Sequence, residues 1–275
     1  DGDVHITTDV DTGTGTHATN NDGTITISLA GGGVTKINAA DTDSNTEALT
    51  ILSGSGAITL NSTIGVTDAL DSLDINSTGS AAAAITVDQI GTYGGDDTAN
   101  TTAAGVSGTT NIGNASTASV SLNDTQFNFG GDTNITATGD ITSAANMKIK
   151  TAGDLTITPG SGNAFKYTQD LKIVGTANKT VKIAGAITGV DATTSVETIT
   201  IISGEGAGAT NGTIDITGAI GGGSQTKSVA LTAGTAIKLG SSITTINTGN
   251  NDVTITGPAV LTGDVDIDVT ANSGA

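Results

Sequence analysis

The chain contains no cysteine and no tryptophan, and only two prolines. Without thiols there can be no disulfide, no cysteine-ligated zinc and no iron–sulfur cluster. Its nine basic residues are all lysines, so the planar guanidinium fork that grips carboxylate or phosphate bidentately is missing. The 27 acidic residues bring the net charge to −18, and such a chain repels a nucleic-acid backbone. Aromatic residues are confined to Tyr93, Phe127, Phe129, Phe165 and Tyr167. No apolar run approaches the roughly 18 residues of a membrane-spanning helix. No secretory leader is visible, and since Asp1 is no translated start, the chain is expected to be a mature product or an excised piece.

What is present is glycine, 40 of 275 residues, set among threonine, serine, alanine and β-branched residues. The apolar positions alternate with polar ones over three to five residues, as in Thr24-Ile25-Thr26-Ile27, Leu49-Thr50-Ile51, Ile58-Thr59-Leu60, Leu73-Asp74-Ile75, Met147-Lys148-Ile149, Leu155-Thr156-Ile157, Leu171-Lys172-Ile173, Ile214-Asp215-Ile216 and Ile237-Lys238-Leu239. This is the pattern of half-buried strands. The only alanine run, Ala81 to Ala84, is too short for a helix by itself. Gly54-Ser55-Gly56, Gly160-Ser161-Gly162, Gly204-Glu205-Gly206 and Gly221-Gly222-Gly223 supply turns. Asn211-Gly212 is the main candidate for a tight hairpin.

Many short strands with few hairpin signals fit a solenoid as well as a sandwich, and internal repeats favour the solenoid. LTILSGSGAITL (49–60), LTITPGSGNAFKY (155–167) and ITIISGEG (199–206) share one layout: strand, glycine turn, strand, Ile-Gly corner, loop, strand. Each unit exposes an apolar face that only a stacked neighbour can bury. The segments LTILSGSGAITL…IGVTDALDSLDI and ITTINTGNNDVTITGPAVLTGDVDIDVTANSGA resemble the β-strand repeats of large secreted bacterial surface proteins, the filamentous-haemagglutinin-like and autotransporter-like adhesins. The resemblance covers most of 22–75 and 133–275. It implies a right-handed parallel β-solenoid, exported and extracellular, that acts as a stalk, fibre or adhesive surface. We therefore expect residues 1–275 to form a single elongated solenoid domain, with an insertion or lateral lobe at 88–132, where the alternation weakens.

Candidate sites are few. Asp41, Asp43, Asn45 and Glu47 place side-chain oxygens at alternate positions, as calcium requires. Thr46 and Leu52 stand where an EF-hand loop needs glycine and glutamate, so the string is either a solvated turn or another kind of calcium site. Asp264, Asp266 and Asp268 share one strand face, and read either as charged protection of an end strand or as a cation-dependent joint. His5 and His17 bring no third metal ligand. Thr-x-Thr pairs (24–26, 156–158, 198–200, 254–256) raise an ice- or crystal-binding ladder, but their spacing is irregular. No nucleophile elbow or phosphate-binding loop precedes a helix. With no Arg and five aromatics, a carbohydrate-active enzyme is the weakest reading and no catalytic residue is assigned. The end strands, with Val4 and Ile6 at one tip and Val265, Ile267 and Val269 at the other, are expected to join copies head to tail into a filament, sheath or adhesin stalk. The expected partners are further copies of the chain and host or environmental surfaces, and the rival reading is a binding module for glycan, ice or mineral.

Overall fold

The computed structural model describes residues 4–7, 25–27, 36–39, 47–53, 56–76, 83–93, 104–144, 146–190, 197–205, 211–221, 226–247 and 252–271. These contain strands and turns and no helix. Every strand pairing is parallel, and each strand pairs with its counterpart one coil away rather than with its neighbour in sequence. The chain is therefore a β-solenoid with three faces. Ten strands stack on the first face, from Val4–Thr7 to Ala259–Leu261, and ten on the second, from Ile25–Ile27 to Ile267–Ala271. The third face holds six strands, from Gln126–Phe129 to Asp252–Thr256. Single bridges Ile64–Ile90 and Ile90–Phe127 extend it down to the short pair Lys36–Ile37 and Thr63–Ile64. At a strand spacing of about 4.8 Å, ten rungs make a column roughly 45 Å long.

The alternation in sequence is what winds this column. Both apolar residues of each apolar–polar–apolar triplet turn inward and the polar one turns outward, and the stacking register superposes like on like. On the first face one inward file runs Ile51, Ile75, Ile112, Ile135, Ile157, Ile183, Ile216, Leu239, Leu261, and the backbone register places Ile6 beside Ile51 at its start. On the second, Ile25, Ile58, Ile85, Val120, Ile141, Phe165, Ile187, Ile220, Ile243 and Ile267 do the same. Together with the third face they form one continuous core. Each file is a stack of branched side chains removed from water at about 25 cal/mol per Å² of apolar surface.

Coil length follows from how much loop each turn carries. Asn111 and Asn134, neighbours on the first face, lie 23 residues apart, whereas Asp74 and Asn111 lie 37 apart. The longer coil ends at Asn111 and so holds only the first part of the stretch 88–132. Within that stretch Thr110–Ile112, Ser119–Leu122 and Gln126–Phe129 each occupy a regular rung, one on each face. The additional residues of the longer coil fall between Gly91 and Gly105, and 94–103 lie outside the described residues. The crossing is tight. A Cβ on Gly65, whose φ is +63°, would stand 1.8 Å from the carbonyl oxygen of Gly105, and one on Gly105 would stand 2.2 Å from the amide nitrogen of Gly91. Glycine is required there both by the left-handed backbone and by the close approach of three chain segments.

The aromatics are core filler. Phe127, Phe129, Phe165 and Tyr167 are fully buried. Tyr167 stacks on Gly189 of the next coil, which has no side chain to occupy the space above the ring. The phenol reaches through that gap to hydrogen-bond Thr226, 59 residues later. Burial pushes the Tyr167 hydroxyl far up, and the charge of buried Glu197 adds to the shift, against a smaller opposing effect of the Thr226 bond.

The three repeats seen in the sequence are not in phase. LTILSGSGAITL and LTITPGSGNAFKY cross from the first face to the second, but ITIISGEG lies on the third face and leads back to the first. All three faces use the same alternation and the same glycine corners, so the motif alone does not say which corner it turns.

Candidate functional site

The end coil is where the column's design and its surroundings disagree. Leu261 extends the file of Leu239, and Ile267 that of Ile243. Leu239 is 2 % exposed and Ile243 is fully buried, whereas Leu261 is 63 % exposed and Ile267 50 %. Val269, in register with buried Thr245, is 47 % exposed, and Val260 on the outer side of the same tip is also exposed. Val265 packs partly against the core. The strands that carry these residues pair on one side only, leaving alternate N–H and C=O groups of Ala259–Leu261 and Ile267–Ala271 unmatched in the ladder. At the opposite tip Val4 and Ile6 stand on the first strand of the first face, in register with Leu49 and Ile51. Ile25 begins the second face.

Four of the expected interface residues lie on terminal rungs, but on different faces: Val4 and Ile6 on the first, Ile267 and Val269 on the second, while Val265 precedes the strand Ile267–Ala271 and stands on no rung. At the opposite ends of the same register files stand Ala259 for Val4, Leu261 for Ile6 and Ile25 for Ile267. The sequence reading missed these three. They were legible as apolar members of the first and last triplets of each face, once the faces could be told apart.

Of the calcium candidates, Asp41, Asp43 and Asn45 lie outside the described residues. Glu47 immediately precedes the strand Ala48–Leu52, and its carbonyl accepts the Asp71 N–H of the next coil. Asp264, Asp266 and Asp268 sit exposed on the end coil, but they do not share a strand face: Asp264 and Asp266 lie in the connection before the strand Ile267–Ala271, and only Asp268 is on it. Asp268 lies in register with Thr244, and the Asp266 N–H is bound by the Ser242 hydroxyl. Among the described residues no three His, Asp or Glu side chains converge in a way that could hold a metal ion.

Other acidic side chains have a structural task instead. Asp132 accepts the N–H of Asp154 at 2.9 Å, Asp154 that of Thr180 at 2.7 Å, Asp140 that of Ala164 at 3.0 Å and Asp170 that of Thr198 at 2.8 Å. Each of these Asp residues ends the loop just before a strand and caps the coil above. An Asp directly ahead of an apolar triplet is the signal that could have found them. For Asp140, burial raises the carboxyl pKa, but the hydrogen bonds from Lys166 and Ala164 and the ammonium charge outweigh it and hold the value below the usual carboxylate range. Asp88 goes the other way: burial and the neighbouring Asp124 charge raise it, despite a hydrogen bond from Asn123.

The Thr-x-Thr pairs do not gather on one surface. Those at 156–158 lie on the first face and those at 198–200 and 254–256 on the third. A different hydroxyl file, Thr26, Thr59, Thr86, Ser121 and Thr142, does line up on the outside of the second face. It is one side chain wide and stops at Lys166.

The fold and its ends thus define the class: a three-faced parallel β-solenoid whose last coil presents core-type residues to solvent. No family model, curated protein or solved structure matches the chain. No helix among the described residues is long and apolar enough to cross a membrane.

Proposed function

We propose that the chain is a structural subunit of an extracellular filament, sheath or adhesin stalk, and that its copies stack head to tail through the terminal rungs. The supporting observation is the end coil: Leu261, Ile267 and Val269, apolar residues at positions that are buried one coil further in, stand about half exposed. Joined in register, Leu261 meets Ile6 and Ile267 meets Ile25, so each file runs on from one copy to the next with its alternation intact. Such a contact joins unlike surfaces and does not close on itself, which gives an open filament. The extracellular setting and the adhesin kinship rest on the resemblance of the strand repeats. Calcium would act at the exposed Asp264, Asp266 and Asp268 by relieving like-charge repulsion beside the joint.

Negative-stain electron microscopy and sedimentation of the purified chain, with calcium and with chelator, test this reading. End-to-end rods that lengthen with concentration are expected, and calcium is expected to lengthen them further. Leu261→Lys and Ile267→Lys should leave a folded monomer that no longer elongates. Monodisperse monomers under all conditions would overturn the proposal.

A further inference from the structure

The third face carries the one concentration of positive charge on this acidic column. Lys148, Lys150 and Lys172, three of the nine basic residues, occupy two adjacent strands, Met147–Thr151 and Leu171–Thr176. Lys148 and Lys172 lie directly opposite one another in the register. Like charges so placed, on strands about 4.8 Å apart, repel. Between and beside them is a groove of about 320 Å³ lined by Asn146, Lys148, Asp170, Lys172, Thr198 and Thr200, large enough for a small organic ligand. The floor is Met147 and Leu171, both buried. Asp170 is held in place by the Thr198 backbone N–H at 2.8 Å and its hydroxyl at 2.9 Å.

A second observation narrows the ligand. Four of the five aromatic rings are sealed in the core, and the fifth, Tyr93, is only partly buried. It stands at this cluster, with the Lys148 ammonium 5.5 Å and the Lys150 ammonium 5.9 Å from its ring centre. The Tyr93 backbone N–H is bound by the Gln126 side chain at 2.8 Å, and the Asn128 side chain donates to the Thr92 carbonyl at 2.8 Å, which fixes the ring's anchor on the third face. Paired ammonium groups with amide, hydroxyl and carboxylate groups around a shallow groove match a sugar ring that bears an acidic group. The ammonium pair meets the anion, Asp170, Asn146 and the threonines meet hydroxyls, and Tyr93, beside the groove rather than in its lining, positions the Lys148 ammonium.

We infer that the groove at Lys148 and Lys172 binds an acidic saccharide unit, carboxylated or sulfated. This holds whether or not the ends of the column stack. Titration calorimetry at low salt, with the full chain, tests it using oligogalacturonate, a heparin-derived tetrasaccharide, a neutral galacto-oligosaccharide and polyglutamate. Saturable binding of at least one acidic saccharide is expected, with the tighter of the two assigning the acidic group. The neutral sugar should not bind, and polyglutamate should bind at least about tenfold more weakly. The double variant Lys148→Gln/Lys172→Gln should weaken binding by about tenfold or more, the loss of a charge-assisted hydrogen bond. Its circular dichroism should match the parent's, so that the loss is one of binding and not of fold. Tyr93→Ala should weaken binding as well, and Lys182→Gln/Lys238→Gln on the first face should leave it unchanged. Binding of neither acidic saccharide, binding no tighter than polyglutamate, or equal losses from the first-face and third-face lysine pairs would overturn the inference.

Discussion

Ile243 and Ile267 are the same residue in the same file, one coil apart, yet one is fully buried and the other half exposed. Leu239 and Leu261 repeat the contrast on another face. Strand propensity, alternation and inward direction are alike in both coils. What differs is the neighbour: in a solenoid, burial comes from the coil above and the coil below, so stability is nearly a sum over coils and their interfaces. An end coil therefore carries the cost of ordering its backbone with only half the reward, unless something stacks on it.

The largest effect that would sharpen this contrast is a cavity in the middle of the column. Ile173→Ala, deep on the third face, should cost about 2–5 kcal/mol in chemical denaturation, while Ile267→Ala in dilute protein should cost under about 1 kcal/mol. Equal losses would break the comparison. Next, Gly65→Ala should destabilise by about 2 kcal/mol or more, since it meets both a left-handed φ and the Gly105 carbonyl. Tyr167→Phe deletes the buried bond to Thr226 and should cost about 1 kcal/mol.

The smallest effects concern pH. The lowered pKa of Asp140 contributes stability that is present above the ordinary carboxyl value of about 3.9 and is lost as pH falls through the lowered native value. Asp140→Asn should flatten that acid limb by less than about 1 kcal/mol, because the pair with Lys166 is partly solvated. Asp88, with its pKa raised, opposes folding once ionised. Asp88→Asn should therefore be neutral or slightly stabilising at neutral pH and lose that advantage in acid, read from denaturation midpoints at two pH values.

The winding itself was legible in the sequence. Triplets such as Leu155-Thr156-Ile157 announce which side chains point inward, and glycine-punctuated spacing without hairpin turns points to stacked coils. Phase was not legible, because ITIISGEG and LTILSGSG use one chemistry to turn different corners. The weak alternation at 104–132 has a related cause. Thr110 and Thr133 take inward positions where neighbouring coils have Leu73 and Leu155, so 104–132 looks irregular although its rungs are in register. At the ends, Val4, Ile6, Ile267 and Val269 could be picked out as terminal. Their partition between two faces needed the pairing of strands far apart in sequence. The lysine groove was invisible for the same reason: Lys148 and Lys172 meet only because the coil between them closes in register.

Amide hydrogen exchange of the full chain at low and high protein concentration tests the central claim most directly. The account predicts that amides of Ala236–Leu239 and neighbouring inner rungs are protected at both concentrations. Those of Ala259–Leu261 and Ile267–Ala271 should exchange quickly when dilute and gain protection as the protein is concentrated. End-coil amides that exchange equally fast at both concentrations, or are already as protected as the inner rungs when dilute, would contradict it.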